Sequence, residues 1–423
     1  MKYVNKQMNK PMSNRKIKPI YFRLSSIAIC VGFMLFSQLS HAAAFQFYEL
    51  GTPIVGAAGV GQAAVAEDAS TSYFNPAGMA ALSSSAVMLG SQFILPYTHF
   101  SPNSSNTISG NNGGSAGVLA PGLGGYYVYR FSSKTNFGLS VTSPYGGALS
   151  YNDHWVGRYV VQQMTLYTID VNPVMSYQIN SWVSVGGGVV LEYANLNQTI
   201  ALPLSPTVDG QVNLKVDNFA PGINLGVLFT LAAQTKIGAT FRSQIVHNLS
   251  GNSNFLNISS TPSTTTKMVM PANLIASITH DLSHKFTILG EVGWANWSSM
   301  RNTMVTIDGY SSVTPNDWND TYRVGVAGRY HFTPSLLYQL GVSYDSSPTT
   351  TSKRLPDLPA DGQVRVGTGI EYMLMKAATL GLSYEYMHLG EANINNTSSA
   401  GTLSGSYSRN FANVFQASLN VKC

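Results

Sequence analysis

The chain has 423 residues, of which 44% are apolar and only 10% charged, a balance too poor in charge for a soluble domain of this length. Beyond the N-terminal region no apolar run reaches the roughly 18 residues of a membrane helix, which excludes an ordinary helical membrane protein. The formal charge of +5 does not argue for nucleic acid, because Lys2, Lys6, Lys10, Arg15, Lys16, Lys18 and Arg23 fall in a leader without Asp or Glu, and the excess leaves with it.

That basic leader is followed by an apolar run over residues 24–39 and by Ser40-His41-Ala42, which places small residues where a signal peptidase cuts. Residues 1–42 therefore read as a secretion signal peptide, with Met8 or Met12 as alternative starts. Cys30 lies inside it, after Ile27-Ala28-Ile29 rather than the small residues of a lipoprotein signal, and the other cysteine is Cys423. The exported chain has no pair to form an internal disulfide.

Residues 43–85 are rich in Ala and Gly, with Gly51, Gly56, Gly59 and Gly61 interrupting any regular element, and they are too apolar for a free periplasmic tail. From Ala86 onward come fourteen strand-like segments, six tight turns and seven long Ser/Asn/Thr/Gly-rich loops. The turns fall at 132–135, 180–181, 232–234, 282–284, 333–335 and 375–378. The loops fall at about 101–119, 147–163, 200–214, 252–266, 301–316, 347–360 and 393–405. Short connections alternating with long ones belong to an outer-membrane barrel, with turns in the periplasm and loops outside. The expected fold is all-β: a 14-stranded antiparallel transmembrane β-barrel over residues 86–423 in the bacterial outer membrane, with residues 43–85 as a plug, or hatch, in its lumen.

Period-two alternation assigns the faces. In the tenth strand Tyr322, Val324, Val326, Tyr330 and Phe332 share the lipid phase, while Arg323, Gly325, Ala327, Arg329 and His331 share the lumen phase. The twelfth sets Val364, Val366, Ile370, Tyr372 and Leu374 against Arg365 and Glu371, and the thirteenth sets Leu380, Leu382, Tyr384 and Tyr386 against Ser383 and Glu385. An arginine turned to lipid at midplane costs about 2–4 kcal/mol, so the register is strongly fixed. The third strand, residues 136–149, is interrupted by Ser143-Pro144-Tyr145-Gly146-Gly147. Proline cannot donate to a ladder, so either the strand kinks there and opens a gap toward lipid, or Pro144 begins the second loop.

His280-Asp281-Leu282-Ser283-His284 has two histidines four apart, but it falls in a tight turn rather than on a helix, so no metal site is expected. Gly56-x-x-Gly59-x-Gly61 lacks the Lys-Ser/Thr of a phosphate loop and suits close packing in the plug. No cofactor is implied.

Phe45-Gln46, Glu67-Asp68-Ala69 followed by Asn75-Pro76-Ala77-Gly78-Met79, and the strand count together resemble the FadL family of outer-membrane transporters of hydrophobic compounds. Asn152-Asp153-His154-Trp155-Val156-Gly157-Arg158-Tyr159, the stretches 294–297 and 318–323, Tyr344-Asp345-Ser346-Ser347-Pro348 and Arg354-Leu355-Pro356-Asp357 extend the resemblance over nearly the whole exported chain. It implies a monomer with a hatch, an outer ligand groove among the loops, an inner apolar pocket and a lateral opening at a kinked third strand, here Ser143, Pro144, Tyr145, Gly146 and Gly147. One departure is the C-terminus, Val421-Lys422-Cys423, where outer-membrane barrels end in an aromatic; Phe411 and Phe415 lie on the outward phase nearby.

The expected function is passive uptake of long-chain fatty acids or similar hydrophobic molecules, downhill by about 0.8 kcal/mol per buried methylene. Asn75, Pro76 and Ala77 are expected to anchor the hatch through a rigid turn. Arg158, Lys353 and Arg354 stand in or beside long loops, where a cation can meet an incoming carboxylate. Outer-membrane lipid and lipopolysaccharide are the expected surroundings. The rivals are a hydrocarbon importer of the same fold, an outer-membrane enzyme such as a lipase or acyltransferase, and an adhesin or phage receptor.

Overall fold

The computed structural model describes residues 45–205, 208–256 and 261–423. The expected signal peptide, and residues 43 and 44 of the expected hatch, lie outside them. The strands are β1 (Ala86–Pro102), β2 (Ala120–Arg130), β3 (Thr135–Thr142), β4 (Gly146–Ser150), β5 (Gln163–Gln178), β6 (Val183–Ser205) and β7 (Val208–Ala232). Next come β8 (Thr235–Arg242), β9 (Ile245–Phe255), β10 (Ser263–Met270), β11 (Asn273–Asp281), β12 (Phe286–Ala295), β13 (Asn302–Ile307) and β14 (Tyr310–Pro315). The last are β15 (Thr321–Thr333), β16 (Leu336–Asp345), β17 (Gln363–Met375), β18 (Ala378–His388), β19 (Ile394–Ser398) and β20 (Gly401–Lys422).

Antiparallel ladders run β1–β2–β3–β5–β6–β7–β8–β11–β12–β15–β16–β17–β18–β20, and β20 returns to β1 from Ala86↔Lys422 to Pro102↔Gly405. This is a closed ring of 14 walls. The remaining strands continue these walls upward, and β7 with β9 and β10 with β13 keep the extensions laterally joined.

The alternation expected from sequence holds in the packing. Tyr322, Val326 and Phe332 are exposed on the outside, while Arg323, Arg329, Arg365 and Glu385 are buried inside. Aromatic residues form two outward belts. One, near the short turns, includes Phe131–Phe137 and Trp182–Phe229; the other includes Tyr97–Phe411 and Tyr193–Phe219. From Val87 to Tyr97 β1 rises about 33 Å, or ~25 Å along the bilayer normal at a tilt of about 40°, the height of an apolar band.

The six tight turns stand where expected, but several expected loops are hairpins. β6 and β7 remain paired to Pro203↔Asp209, β9 and β10 to Asn252↔Ser263, β13 and β14 to Asn302↔Pro315, and β19 and β20 to Ile394↔Gly405. Above the bilayer the outward phase meets water instead of lipid, so the ladder persists while the apolar outward phase that betrays a strand disappears.

Within the ring, residues 45–85 form three short helical turns, Pro53–Ala57, Thr71–Phe74 and Pro76–Ala81, almost wholly buried. They touch inward positions around the circumference. Ala63 N donates to Ser277 on β11, Gly61 N to Glu291 on β12, and Tyr126 on β2 donates to the Leu50 carbonyl. Ser184 on β6 donates to the Ala77 carbonyl and Gln339 on β16 to the Pro53 carbonyl.

Candidate functional site

The segment inside the ring is held in two ways. The first is close backbone approach. A Cβ on Gly238 would lie 1.7 Å from the Ala63 carbonyl oxygen, and one on Gly341 would lie 2.2 Å from that of Ala57. Only glycine at these wall positions lets the two backbones meet.

The second is ionic. Arg365 bonds Glu49 from the inner segment, reaches Asp345 at 3.2 Å and lies 3.4 Å from Glu385. Arg323 bonds Asp345 at 2.7 Å and Glu291 at 3.1 Å, and donates to the Ala58 carbonyl at 2.6 Å. Tyr48 lies under both guanidinium groups, 4.1 and 5.2 Å from its ring centre. The phase of the strands marks the lumen arginines; it does not mark Glu49, the partner of Arg365, although that residue is a lone acid in an apolar stretch.

Asn75, Pro76 and Ala77 sit where this segment meets β6 and β7. Asn75 caps the following turn by accepting from the Ala77 N–H at 3.1 Å. Its amide donates to the Ala63 carbonyl at 2.6 Å and to the Val227 carbonyl on β7 at 3.0 Å. Pro76 needs no donor at the first position of the turn.

The third wall breaks at Ser143, Pro144 and Tyr145. β3 is paired on both sides, with β2 and β5, but beyond the break β4 is laddered with β5 and on its other side meets only the connection before β2, through the Leu149–Gly117 bridge and the Ser150 N–H to the Ala116 carbonyl at 2.9 Å. The β2 edge from Ala120 to Gly124 therefore has no β4 partner. Residues 45–47 occupy the inner side of the break: Phe47 N donates to the Pro144 carbonyl at 2.8 Å, and Gly146 N to the Phe45 carbonyl at 2.9 Å. The Phe47 ring stands 3.1 Å from where a Gly146 Cβ would be, and the Phe45 ring 3.4 Å from that of Gly147. Gly146 and Gly147 make room here for two phenylalanine rings, a pairing that neither sequence segment signals alone.

Two buried apolar clusters meet at this point. Phe100, Tyr151, Trp155, Val161 and Tyr407 form a buried cluster among the outer connections. Tyr151 stacks on Trp155 at 3.7 Å and its hydroxyl lies 2.7 Å from that of Tyr407. A second cluster, with Tyr145, Ile245, Met270 and Trp297, lies behind the break. Phe45 packs against both.

The three expected head-group cations each have partners of their own, and no bond joins them. Arg158 bonds Asp209 at 2.6 Å, Tyr159 at 2.8 Å and the Ser109 carbonyl at 2.6 Å. Burial acts to raise the Asp209 pKa, and the hydrogen bonds from Arg158 and Tyr159 outweigh it, holding the carboxyl below the usual range. Arg354 is buried and bonds Asp361 at 2.9 Å and the Ala360 and Asn393 carbonyls. Both arginines thus form ties within the outer connections, Arg158 to an aspartate 51 residues away and Arg354 to one in its own loop. Lys353 pairs with Asp317 at 2.5 Å, and both are well exposed. Nearby Asp357 has no cationic partner among the described residues: burial pushes its carboxyl up to about 6, partly offset by backbone N–H groups.

A closed antiparallel ring with an apolar outer face, filled from within by its own N-terminal segment, is the fold of a barrel that spans an outer membrane. The chain belongs to the outer membrane protein transport protein family (OMPP1/FadL/TodX), whose model matches residues 33–422. It is an outer-membrane transport protein and not an enzyme, so the lipase and acyltransferase alternatives fall. It is 24% identical over 414 residues to a long-chain fatty acid transport protein of Escherichia coli O6:H1, covering 87% of this chain and 91% of that one. In fold it resembles a Pseudomonas aeruginosa FadL homologue, with a TM-score of 0.84, 20% identity and coverage of 90% and 100% of the two chains. The Ralstonia pickettii toluene transporter TbuX has a TM-score of 0.66, 18% identity and coverage of 89% and 100%.

Proposed function

We propose that this protein takes up long-chain fatty acids or similar long amphiphiles passively, capturing them among the outer connections and releasing them sideways at the break in its third wall. The observation that carries this is the double role of Phe45–Phe47: the segment closes the one-sided pairing at Pro144–Gly146 and also touches both apolar clusters. In this mechanism the ligand first enters the Trp155 cluster, then displaces Phe45 and Phe47, and leaves between β2 and β4 into lipid. No energy input is needed, because each methylene moved from water to an apolar surface contributes about 0.8 kcal/mol. Residues 45–85 act as the hatch, with Asn75-Pro76-Ala77 as its anchor.

The test locks the N-terminal residues onto the break. Gln46 and Tyr145 are antiparallel bridge partners, so their Cα separation of about 4.5–5.5 Å suits a disulfide. In a Cys423→Ser background, Gln46→Cys with Tyr145→Cys should abolish uptake of a fluorescent fatty acid while surface binding persists, and reduction should restore uptake. Undiminished uptake by cross-linked protein would refute the sideways route.

A second reading, transport of neutral hydrocarbons, draws support from the pairing of Arg158, Lys353 and Arg354 with aspartates. Lys353 is the cation most easily freed. If Lys353→Ala leaves the preference for a fatty acid over its alcohol unchanged, the head group is not read there.

A further inference from the structure

The outward face of β18, β20 and β1 carries a feature that transport through the lumen does not use. Tyr97, Phe411 and Tyr386 stack in a row there, with ring centroids 5.2 and 5.8 Å apart, as part of the outer aromatic belt. Three basic side chains flank this row on the same outward phase. His388 lies opposite Phe411, and one step farther from the bilayer Arg409 lies opposite His99. Arg409 and His388 are exposed and His99 is half-buried. His99 Nε2 lies 3.0 Å from the Asn112 amide. Among the described residues, neither Arg409 nor His388 has a side-chain hydrogen bond or ion pair, whereas Arg158 and Lys353 are matched by Asp209 and Asp317.

We propose that this patch binds a phosphate-bearing glycolipid of the outer leaflet. The height fits, because the aromatic belt marks the edge of the apolar band and Arg409 stands about 7 Å along the strand beyond the Phe411 ring's position, where headgroups lie. The charge fits, because an unmatched guanidinium presents its donors in a fork that grips phosphate oxygens two at a time. His388 and His99 add N–H donors on either side, and the aromatic row offers a flat apolar shelf for the first acyl methylenes. An arginine that merely extended into water would show no preference for a phosphorylated headgroup.

The purified protein in neutral detergent is titrated with lipid A bearing its phosphates and with dephosphorylated lipid A, and bound lipid is read by native mass spectrometry. The phosphorylated lipid should bind about tenfold tighter or more. Arg409→Gln should remove most of that advantage, Arg409→Lys should keep part of it, and Lys422→Gln at the opposite end of the barrel should leave it intact. Inorganic phosphate alone should not raise the melting temperature, whereas phosphorylated lipid A should. Heat-modifiable migration on a gel verifies that each variant is folded. Equal binding of the two lipids by the unaltered protein, or an undiminished advantage in folded Arg409→Gln/His388→Gln protein, would overturn the proposal.

Discussion

Replacing Gly341 with alanine should loosen the segment that fills the barrel. The added Cβ would lie 2.2 Å from the Ala57 carbonyl oxygen and 2.4 Å from its carbon, both backbone atoms, so the two chains must part by about 1 Å. The next carbonyl, that of Ala58, accepts from Arg323 at 2.6 Å and from Ser343 at 2.9 Å, and such a displacement breaks or lengthens both bonds. Overpacking of this kind costs about 1–3 kcal/mol. Because the cost falls on the docked arrangement alone, the displaced population should rise roughly 5–150-fold. Ser72 is buried, so a Ser72→Cys reporter in Cys423→Ser protein reacts with a maleimide only when the segment moves. Gly341→Ala should raise its labelling rate by that factor. Gly125→Ala should not, because its Cβ meets only a Leu89 methyl at 3.7 Å. Equal labelling rates in folded Gly341→Ala and unaltered proteins would refute the idea that backbone contact at this wall holds the segment in place.

Asn75→Ala removes two side-chain donations and a turn cap, a loss of about 2–4 kcal/mol. Fatty acid uptake should fall several-fold while the barrel still assembles; wild-type uptake would defeat the anchoring role. Asp357 yields a pH effect. Its folded-state pKa of about 6 exceeds that of the unfolded chain, so the folded state binds more protons and stability falls as pH rises through about 4 to 6, with the penalty fully present above that window and absent below it. Asp357→Asn should flatten this dependence and protect residues 346–362 from hydrogen exchange at pH 7.5, by up to about 3 kcal/mol. Identical pH profiles for the two proteins would sink the assignment.

The barrel was legible because lipid enforces a strict rule on every second residue, and Arg323, Arg329 and Arg365 could sit on only one phase. That rule lapses above the bilayer, which is why the upper parts of β6, β7, β9, β10, β13, β14 and β19 read as loops. The sequence of Ser143–Gly147 fits both a broken wall and an early loop, and only the lack of a β2 partner for β4 distinguishes them. Residue type and loop position alone single out Arg158, Lys353 and Arg354. Whether an arginine is available depends on an aspartate brought near by folding, as Asp209 is to Arg158, and no local pattern encodes that.

The seam between β1 and β20 has a consequence for biogenesis. It joins the first wall to the last, so the ring cannot close until the final strand has been synthesised. The N-terminal segment is already tied to that strand from within, through Gln416 to the Gly51 carbonyl and Asn420 to Ala69. Closing the ring and seating the segment are therefore coupled, since the last strand completes both, and the buried Glu49–Arg365 contact ties the segment to the wall close to that seam.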